Sequence, residues 1–291
     1  MQAYFMTISA LLAFAANSIL CRLALGAQVI DAASFTTVRI LSGAMMLAIL
    51  LLLKAKFRPS TSNIKGMARG KGSWSGALAL FVYALGFSYA YVSLETGIGA
   101  LILFGMVQFT IIAVEVSRGK RFRLPEWLGA TVAFVGFVYL VLPTLSTPSF
   151  IGAVQMAIAG MAWGVYTLVG KGSTKPLEDT AYNFVRAVPM ALIWFAFALP
   201  EWRLSASGIW LAVLSGTLAS GIGYALWYGA LKFIMPFQAS VLQLSVPVIA
   251  AVGGIIWAGE TLEQRLVVSA LMILGGVFLV LMSNKLAPQR N

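Results

Sequence analysis

Aromatic side chains recur at helical spacing in two apolar stretches of the sequence. The first stretch carries Tyr83, Phe87 and Tyr91, and the second carries Tyr224, Trp227 and Tyr228. Residues four apart share one face of a helix, and a wall of aromatic rings suits planar or lipophilic molecules. Trp163, next to Gly164 in a third apolar stretch, adds another ring. We predict that Trp163, Tyr83 and Tyr224 bind such a solute.

The elements that position these rings are membrane helices. The 291 residues are 60% hydrophobic and 10% charged, with a mean hydropathy of +0.91, values far from those of a soluble domain. The apolar stretches reach the roughly 20 residues that a helix needs to cross a bilayer. We therefore predict an all-α integral membrane protein.

Ten spans are expected, five in each half of the chain. Those of the first half are about 3–24, 33–53, 74–94, 97–117 and 126–142. Those of the second half are about 150–170, 179–199, 208–231, 235–258 and 265–283. Residues 1–142 and 150–291 form the two halves, and the uncharged, turn-rich segment 143–149 links them.

The net charge of +11 indicates the orientation of the chain in the membrane rather than nucleic-acid binding, because the basic residues are gathered between the apolar spans. If the N-terminus is cytoplasmic, the outside receives only Arg22, Arg203 and Arg265, and nearly all other Lys and Arg residues lie inside. The positive-inside rule then places both termini in the cytoplasm. Met1 leads directly into the first span without a basic n-region, so this span is expected to be retained.

The two halves resemble each other in sequence. Ala13, Phe14, Ala15, Asn17, Ser18, Ile19 and Arg22 align without a gap with Ala162, Trp163, Gly164, Tyr166, Thr167, Leu168 and Lys171. Val38 and Arg39 match Val185 and Arg186, and Gly136 matches Gly276. Five spans per repeat force the halves to cross the membrane in opposite directions. Inverted repeats of this kind are typical of secondary transporters; a duplication that gives only a stable bundle is the alternative.

Three motifs carry a resemblance to a known family. They are the AxxWGxxY-like segment from Ala159 to Tyr166, the Glu260-Thr261-Leu262 turn, and the closing LGGVFLVL of the last span. With the paired repeats, the chain resembles the ten-helix EamA-type members of the drug/metabolite transporter superfamily. More narrowly, it is similar to bacterial aromatic amino acid exporters of the YddG type. The resemblance implies a carrier located in the bacterial inner membrane.

Polar groups within the spans are few. Asn17 and Ser18 lie in the first span, Gln108 in the fourth and Gln243 in the ninth. An unsatisfied donor in lipid costs on the order of several kcal/mol, so each must face protein or a water-filled cavity. Interhelical hydrogen bonding and cavity lining both meet this need. We predict that Asn17, Gln108 and Gln243 line the substrate cavity.

Two arginines lie inside spans. Arg39 and Arg186 occupy corresponding repeat positions, near the outer and inner ends of their helices. We predict that the two arginines are mirror-image gate elements, which alternately cap helix carbonyls or bind a substrate carboxylate. The alternative is that each side chain only extends to the membrane interface. Pro247 is expected to free a carbonyl and act as a hinge. Gly164 is expected to allow close helix packing and sliding.

Other aromatic positions are expected at the membrane interface. Tyr91, Trp227 and Tyr228 lie near span ends, where Tyr and Trp are enriched.

The acidic residues also fall at or near span ends, which leaves no buried carboxylate as a proton relay and favours a facilitator. An intramembrane enzyme is not supported, since the sequence has no histidine and no Ser/Lys pair, Asp pair or His/Glu metal site is expected inside a span.

The sequence therefore predicts a secondary transporter, with no catalytic residues, metal or cofactor. Small hydrophobic solutes, with aromatic amino acids first, are expected to cross the inner membrane by alternating access. A lipophilic-cation or drug exporter and a channel-like facilitator are the alternatives. The expected partners are the solute and the lipid bilayer, with no nucleic acid, and the expected state is a monomer.

Overall fold

The regular structure of the described chain is helical. The computed structural model describes residues 2–57, 71–119, 124–141, 149–170, 173–198, 203–230, 233, 242–243 and 245–285. Within these ranges the helices of the first half are α1 Gln2–Leu25, α2 Ala32–Phe57, α3 Trp74–Tyr91, α4 Thr96–Ser117 and α5 Leu124–Val141. Those of the second half are α6 Phe150–Gly170, α7 Pro176–Phe197, α8 Ala206–Ala230, α9 Val246–Ala258 and α10 Gln264–Lys285.

Six of the described helices, α1, α2, α4, α6, α7 and α8, are long and apolar enough to cross a membrane. The predicted bounds agree with the structure for most helices, although α2 continues to Phe57 rather than ending at residue 53. The beginning predicted for the ninth span, at residue 235, lies outside the described residues. The described part of that span, α9, begins at Val246. Most of the predicted linker, residues 143–148, also lies outside the described residues.

Helices of the two halves interleave. Helix α3 packs on α6, and α1 packs on α8; α6 also contacts α4, and α1 also contacts α9. Helix α2 lies against α7, and α5 lies against α10. Each of these contacts joins the two halves, and each either pairs equivalent helices or has a counterpart with the halves exchanged. The core of the bundle is therefore shared by both halves.

Glycines permit the closest of these contacts. A Cβ atom at Gly160 would lie 2.6 Å from the carbonyl oxygen of Leu103, and one at Gly164 would lie 2.9 Å from Cβ of Thr110. The two glycines lie four residues apart on α6, so they form one smooth stripe against α4. The stripe lets α4 approach α6 closely and holds Trp163, between them in sequence, at the centre of the bundle.

The loops at the two ends of the bundle are joined in similar ways. At one end, Asp31 accepts a hydrogen bond from the backbone N–H of Arg203 at 3.2 Å, and a β-bridge joins Ile30 to Leu204. At the other end, Asp179 accepts one from the backbone N–H of Gly72 at 2.9 Å. We call these two contacts the Asp31 latch and the Asp179 latch. Each ties the start of α2 or α7 to the loop that leads into α8 or α3.

Serine caps follow both latches in the chain. The side chain of Ser73 begins α3 by accepting from Gly76 N at 2.9 Å, and that of Ser205 begins α8 by accepting from Gly208 N at 3.0 Å. Such caps satisfy backbone donors that the first turn of a helix leaves free. Gly72 has φ +58°, a left-handed conformation that favours glycine, just before the first cap. The loop therefore enters α3 in a fixed direction.

Candidate functional site

Trp163 lies at the centre of an aromatic cluster built from four helices. Its ring centroid is 4.8 Å from that of Tyr83 on α3, 4.9 Å from that of Tyr224 on α8 and 6.2 Å from that of Phe14 on α1. All four side chains are buried. The three aromatic residues predicted to bind substrate are therefore in contact, and Phe14 joins them. Such tilted and edge-on pairs are favourable arrangements of aromatic rings.

A cavity lies within this cluster. It is lined by Phe14, Asn17, Ser18, Tyr83, Phe87, Leu103, Phe104, Trp163 and Tyr224. Its volume is about 290 Å³ when all the space between the atoms, up to the mouth, is counted. The rings crowd this space, so that it has room for about one water molecule. A solute as large as an amino acid needs the rings to move apart.

A chain of hydrogen bonds borders the cavity. The hydroxyl of Tyr83 accepts from Nη2 of Arg39 at 3.0 Å and from Nδ2 of Asn17 at 3.3 Å. The hydroxyl of Ser215 donates to Oδ1 of Asn17 at 2.6 Å. The Asn17 amide is thus oriented by partners on α3 and α8, and it is part of the cavity lining. Linked groups of this kind hold one another in place in a medium of low dielectric constant.

Helix α8 departs from α-helical geometry next to this chain. Residues Ser215–Ile222 form a π-helical segment, a rare conformation that occurs frequently at functional sites. The segment presents Ser215 to Asn17, and it presents Ser220 to Nε of Arg39 at 3.3 Å. Gly216 within it lies directly against the backbone carbonyl of Arg39. The π segment therefore supplies α8 with both polar contacts to the site.

Arg39 is buried without an acidic partner among the described residues. It is 2% exposed, and its guanidinium carbon lies 5.1 Å from the centroids of the Tyr83 and Phe87 rings. Its Nη1 atom is buried and has no hydrogen-bond partner in the described part of the chain. Buried charges in proteins are normally paired, so this guanidinium is the site's most unusual feature.

Arg186, the repeat counterpart of Arg39, has a different environment. It is partly exposed, donates to the backbone carbonyl of Lys71, and lies 5.7 Å from the Trp74 ring and 5.9 Å from the Tyr182 ring. The structure thus places Arg39 beside the cavity and Arg186 at the end of the bundle that carries the Asp179 latch. A mirror-image gating role for the pair stays a prediction.

The remaining predicted residues lie apart from the cavity lining. Gln108 is 1% exposed on α4, and its Nε2 atom has no partner among the described residues; Gln243 is 5% exposed. Pro247 lies in the first turn of α9, where a proline removes no intrahelical hydrogen bond, so it does not free a carbonyl as predicted. Pro189, which the sequence analysis did not single out, lies inside α7.

Tyr91 and Trp227, predicted to lie at the membrane interface, are both buried within the bundle. Tyr91 is fully buried and donates to the backbone carbonyl of Thr96 at 3.2 Å. Trp227 is 4% exposed, and its ring lies 5.6 Å from that of Phe14. Both side chains point into the bundle, because α3 and α8 pack on helices of the other half along this face. Position near a span end therefore did not decide their exposure.

Acidic side chains are more buried than predicted. Glu126 is 2% exposed, and the side chain of Glu260 is 8% exposed. Glu260 pairs with Nε of Arg22 at 3.1 Å and accepts from the backbone N and hydroxyl of Thr96 at 2.8 and 3.0 Å. Both lie near helix ends as predicted, but the protein buries them; whether either relays protons stays a prediction. Their burial was not predicted, because it arises only through packing against other helices.

Several lining residues were not predicted. Phe14 corresponds to Trp163 in the repeat, so the alignment of the two halves carried a signal for it. Leu103 and Phe104 are ordinary apolar residues of α4 with no sequence signal. Ser215 lies outside this lining and reaches the site by donating to Asn17; its placement depends on the π segment, which alters the helical phase of α8 and cannot be read from spacing. The cavity is thus lined by more residues than the sequence indicated.

Comparison with known proteins agrees with this architecture. Residues 150–282 match the EamA-like transporter family. An uncharacterized protein of Pseudomonas aeruginosa is 47% identical over 95% of this chain and 93% of its own length. A probable terminal-alkyne amino-acid exporter of Streptantibioticus cattleyicolor is 23% identical over 70% of each chain. A solved crystal structure, 17% identical, aligns with a TM-score of 0.62 over 97% of this chain and 98% of that one, so the fold is shared.

A helical bundle with several membrane-length helices and a narrow aromatic cavity between its two halves is the arrangement expected of a multi-pass membrane transporter. The uncharacterized transporter YoaV of Bacillus subtilis is 20% identical over 66% of this chain and 68% of its own length, and its name also describes a transporter. The chain belongs to the EamA-like transporter family of the drug/metabolite transporter superfamily. Members of this family are transporters and not enzymes.

Proposed function

We propose that this protein exports small hydrophobic solutes, with aromatic amino acids first, across the bacterial inner membrane. The observation that carries the proposal is the narrow aromatic cavity around Trp163. Rings from both halves of the chain surround it, and their faces and edges suit a planar side chain. The Streptantibioticus relative, named as a probable amino-acid exporter, supports an amino acid as the solute.

The proposed mechanism is alternating access by two five-helix inverted repeats, with all ten helices crossing the membrane. Reciprocal contacts support this arrangement. A Cβ atom at Gly136 on α5 would lie 2.6 Å from Met272 and 3.2 Å from Ile273, and one at Gly276 on α10 would meet Gly129 and Ala133. Ala133 and Ile273 occupy equivalent positions when Gly136 is aligned with Gly276. The α5–α10 contact thus follows an approximate two-fold relationship, as inverted repeats require.

The two latches support the same mechanism. The Asp31 latch and the Asp179 latch lie at opposite ends of the bundle, because the Lys54–Glu178 ion pair, at 3.8 Å, joins the end of α2 to the start of α7. Both are closed here, and the cavity between them is narrow. Release of one latch with retention of the other opens the cavity towards one side of the membrane. This is the behaviour of a carrier rather than of a channel.

Arg39 bears on the alternative solute. A buried guanidinium beside the cavity repels a lipophilic cation, so an exporter of cationic drugs is the less favoured reading. A channel-like facilitator is also disfavoured, because the described rings leave room for only about one water molecule in the cavity.

We further propose that both termini are cytoplasmic, in line with the distribution of basic residues, and that the protein works as a monomer.

Flux in liposomes tests the proposal. Purified protein is reconstituted, and uptake of radiolabelled phenylalanine and tryptophan is compared with uptake of alanine and of a lipophilic cation. Saturable aromatic flux that is accelerated by unlabelled substrate on the opposite side indicates a carrier. Flux of the cation alone indicates a drug exporter, and flux that does not saturate indicates a channel. If no solute moves faster than in protein-free liposomes, the proposed substrate class is wrong.

A further inference from the structure

The charge of the site is unbalanced. The polar groups that contact the guanidinium of Arg39 are the hydroxyl of Tyr83, 3.0 Å from Nη2, and the hydroxyl of Ser220, 3.3 Å from Nε, and neither belongs to an acidic residue. No ion pair of Arg39 with a described carboxylate is present, and Nη1 has no hydrogen-bond partner among the described residues. A cation removed from water in this way is stabilised when an anion is brought to it.

The geometry around Tyr83 shows where such an anion fits. Its hydroxyl oxygen accepts from both Arg39 Nη2 and Asn17 Nδ2, so it occupies a position that favours a negatively charged oxygen. A carboxylate oxygen that displaces this hydroxyl receives both donors. The second oxygen of the carboxylate then faces the free Nη1, which gives the bidentate arrangement that guanidinium groups favour.

We propose that Arg39 and Asn17 bind the carboxylate of the solute and that the site selects apolar carboxylates rather than amines. The aromatic cavity holds the apolar part, and Tyr83 gives up its hydrogen bonds when the solute enters. The described cavity lining contains no acidic side chain for an ammonium group. An aryl carboxylate without an amino group therefore binds at least as well as the matching amino acid. This inference rests on the proposed function, because it names the substrate class of the same site.

Ligand-dependent thermal unfolding of the purified protein in detergent tests this inference. The probes are 3-phenylpropanoate, phenylalanine and phenethylamine at pH 7.5 and constant ionic strength. They share a phenyl ring and differ in which charged group they carry. We expect 3-phenylpropanoate and phenylalanine to raise the melting temperature and phenethylamine to leave it unchanged. Equal stabilisation by phenethylamine, or no response to either carboxylate, would overturn the inference.

Variants assign the effect to Arg39. In Arg39→Gln the apparent affinity for 3-phenylpropanoate should fall roughly tenfold or more, whereas Arg118→Gln, which removes an exposed charge at the end of α4, should keep it. Arg39→Lys, which retains the charge without the planar fork, should lose less than Arg39→Gln. Unchanged affinity in Arg39→Gln would contradict the inference. If that variant does not fold, the comparison of Arg39→Lys with the wild type decides.

Binding and flux separate this inference from the proposed function. A protein that binds 3-phenylpropanoate through Arg39 but moves no labelled aromatic amino acid would contradict the export proposal and leave the carboxylate site standing. A protein that moves phenylalanine without any Arg39-dependent carboxylate binding would contradict only the carboxylate site. Binding is the better measurement for the aryl carboxylate, since its neutral form crosses lipid without a carrier.

Discussion

The hydroxyl of Tyr83 lies 3.0 Å from Nη2 of Arg39, so a tyrosine oxygen is a hydrogen-bond acceptor for a buried cation. Tyr83→Phe removes this acceptor and leaves Arg39 less satisfied. We expect the substrate-free protein to lose about 1–3 kcal/mol of stability, the usual cost of an orphaned buried polar group. Thermal unfolding measures the loss, with Tyr4→Phe, at a residue that is 77% exposed, as the matched control. Equal stability of the two variants would show that the hydroxyl does not stabilise Arg39.

Trp163→Ala removes the ring that contacts Tyr83, Tyr224 and Phe14 together. We expect saturable flux of labelled phenylalanine to fall to near the level of protein-free liposomes and stability to fall by about 3–5 kcal/mol. Trp210→Ala, at a position 67% exposed on α8, should retain both properties. Trp163→Phe keeps an aromatic face and should retain part of the flux. Full flux in Trp163→Ala would remove this residue from the site.

Adjacent glycines on α10 offer a test of the α5–α10 contact. A Cβ atom at Gly276 would clash with the backbone of Gly129, whereas one at Gly275 meets nothing within 4 Å. Gly276→Ala should therefore destabilise the protein by about 1–3 kcal/mol through overpacking. Gly275→Ala should be neutral or stabilising by up to about 1 kcal/mol, because alanine is the better helix former. The melting temperatures of the two variants should move in opposite directions or differ clearly in size.

The environment of Glu95, in the turn before α4, predicts that the stability of the protein depends on pH. Burial, together with the nearby Glu260 and Glu263, raises the pKa of this carboxyl above its ordinary value. The unfolded state then ionises first as pH rises, so the group's contribution to stability falls between its unfolded and folded pKa values and stays low above them. Glu95→Gln should raise the melting temperature relative to the wild type at pH 7.5. The gain should shrink towards pH 4, and a gain independent of pH would contradict this account.

Cysteine labelling tests the orientation of the chain. Cys21, the single cysteine, is buried and can be replaced by alanine as a background. In that background, Ser207→Cys near the start of α8 should react with an impermeant maleimide in intact spheroplasts, whereas Lys56→Cys at the end of α2 should react only after permeabilisation. Both positions are exposed to solvent in the structure. The reverse pattern would place both termini outside.

The helices were the most predictable part of this protein. Long apolar stretches interrupted by polar turns fixed most bounds to within a few residues, since only a helix satisfies its own backbone in lipid. The contact of Trp163 with Tyr83 and Tyr224 followed from the depth and helical spacing of these rings. Phe14 was visible as the repeat counterpart of Trp163, although its role was not assigned.

Features that arise from packing between distant segments were not predictable. Tyr91 and Glu260 lie near helix ends, yet packing against other helices buries them. The π segment Ser215–Ile222 shifts the phase of α8 and turns Ser215 and Ser220 towards the site. The different environments of Arg39 and Arg186 also went unseen, because equal positions in a sequence repeat do not imply equal environments in one conformation of a transporter.

The narrow cavity at the centre of the bundle limits the leakage of protons and ions across the membrane that contains the protein. Room for about one water molecule among the rings does not sustain a continuous water file, along which protons travel rapidly. The fixed positive charge of Arg39 beside that constriction adds an electrostatic barrier to hydronium and metal ions. We therefore expect the closed protein to be electrically insulating, so that a membrane containing many copies keeps its voltage and its proton gradient between transport events.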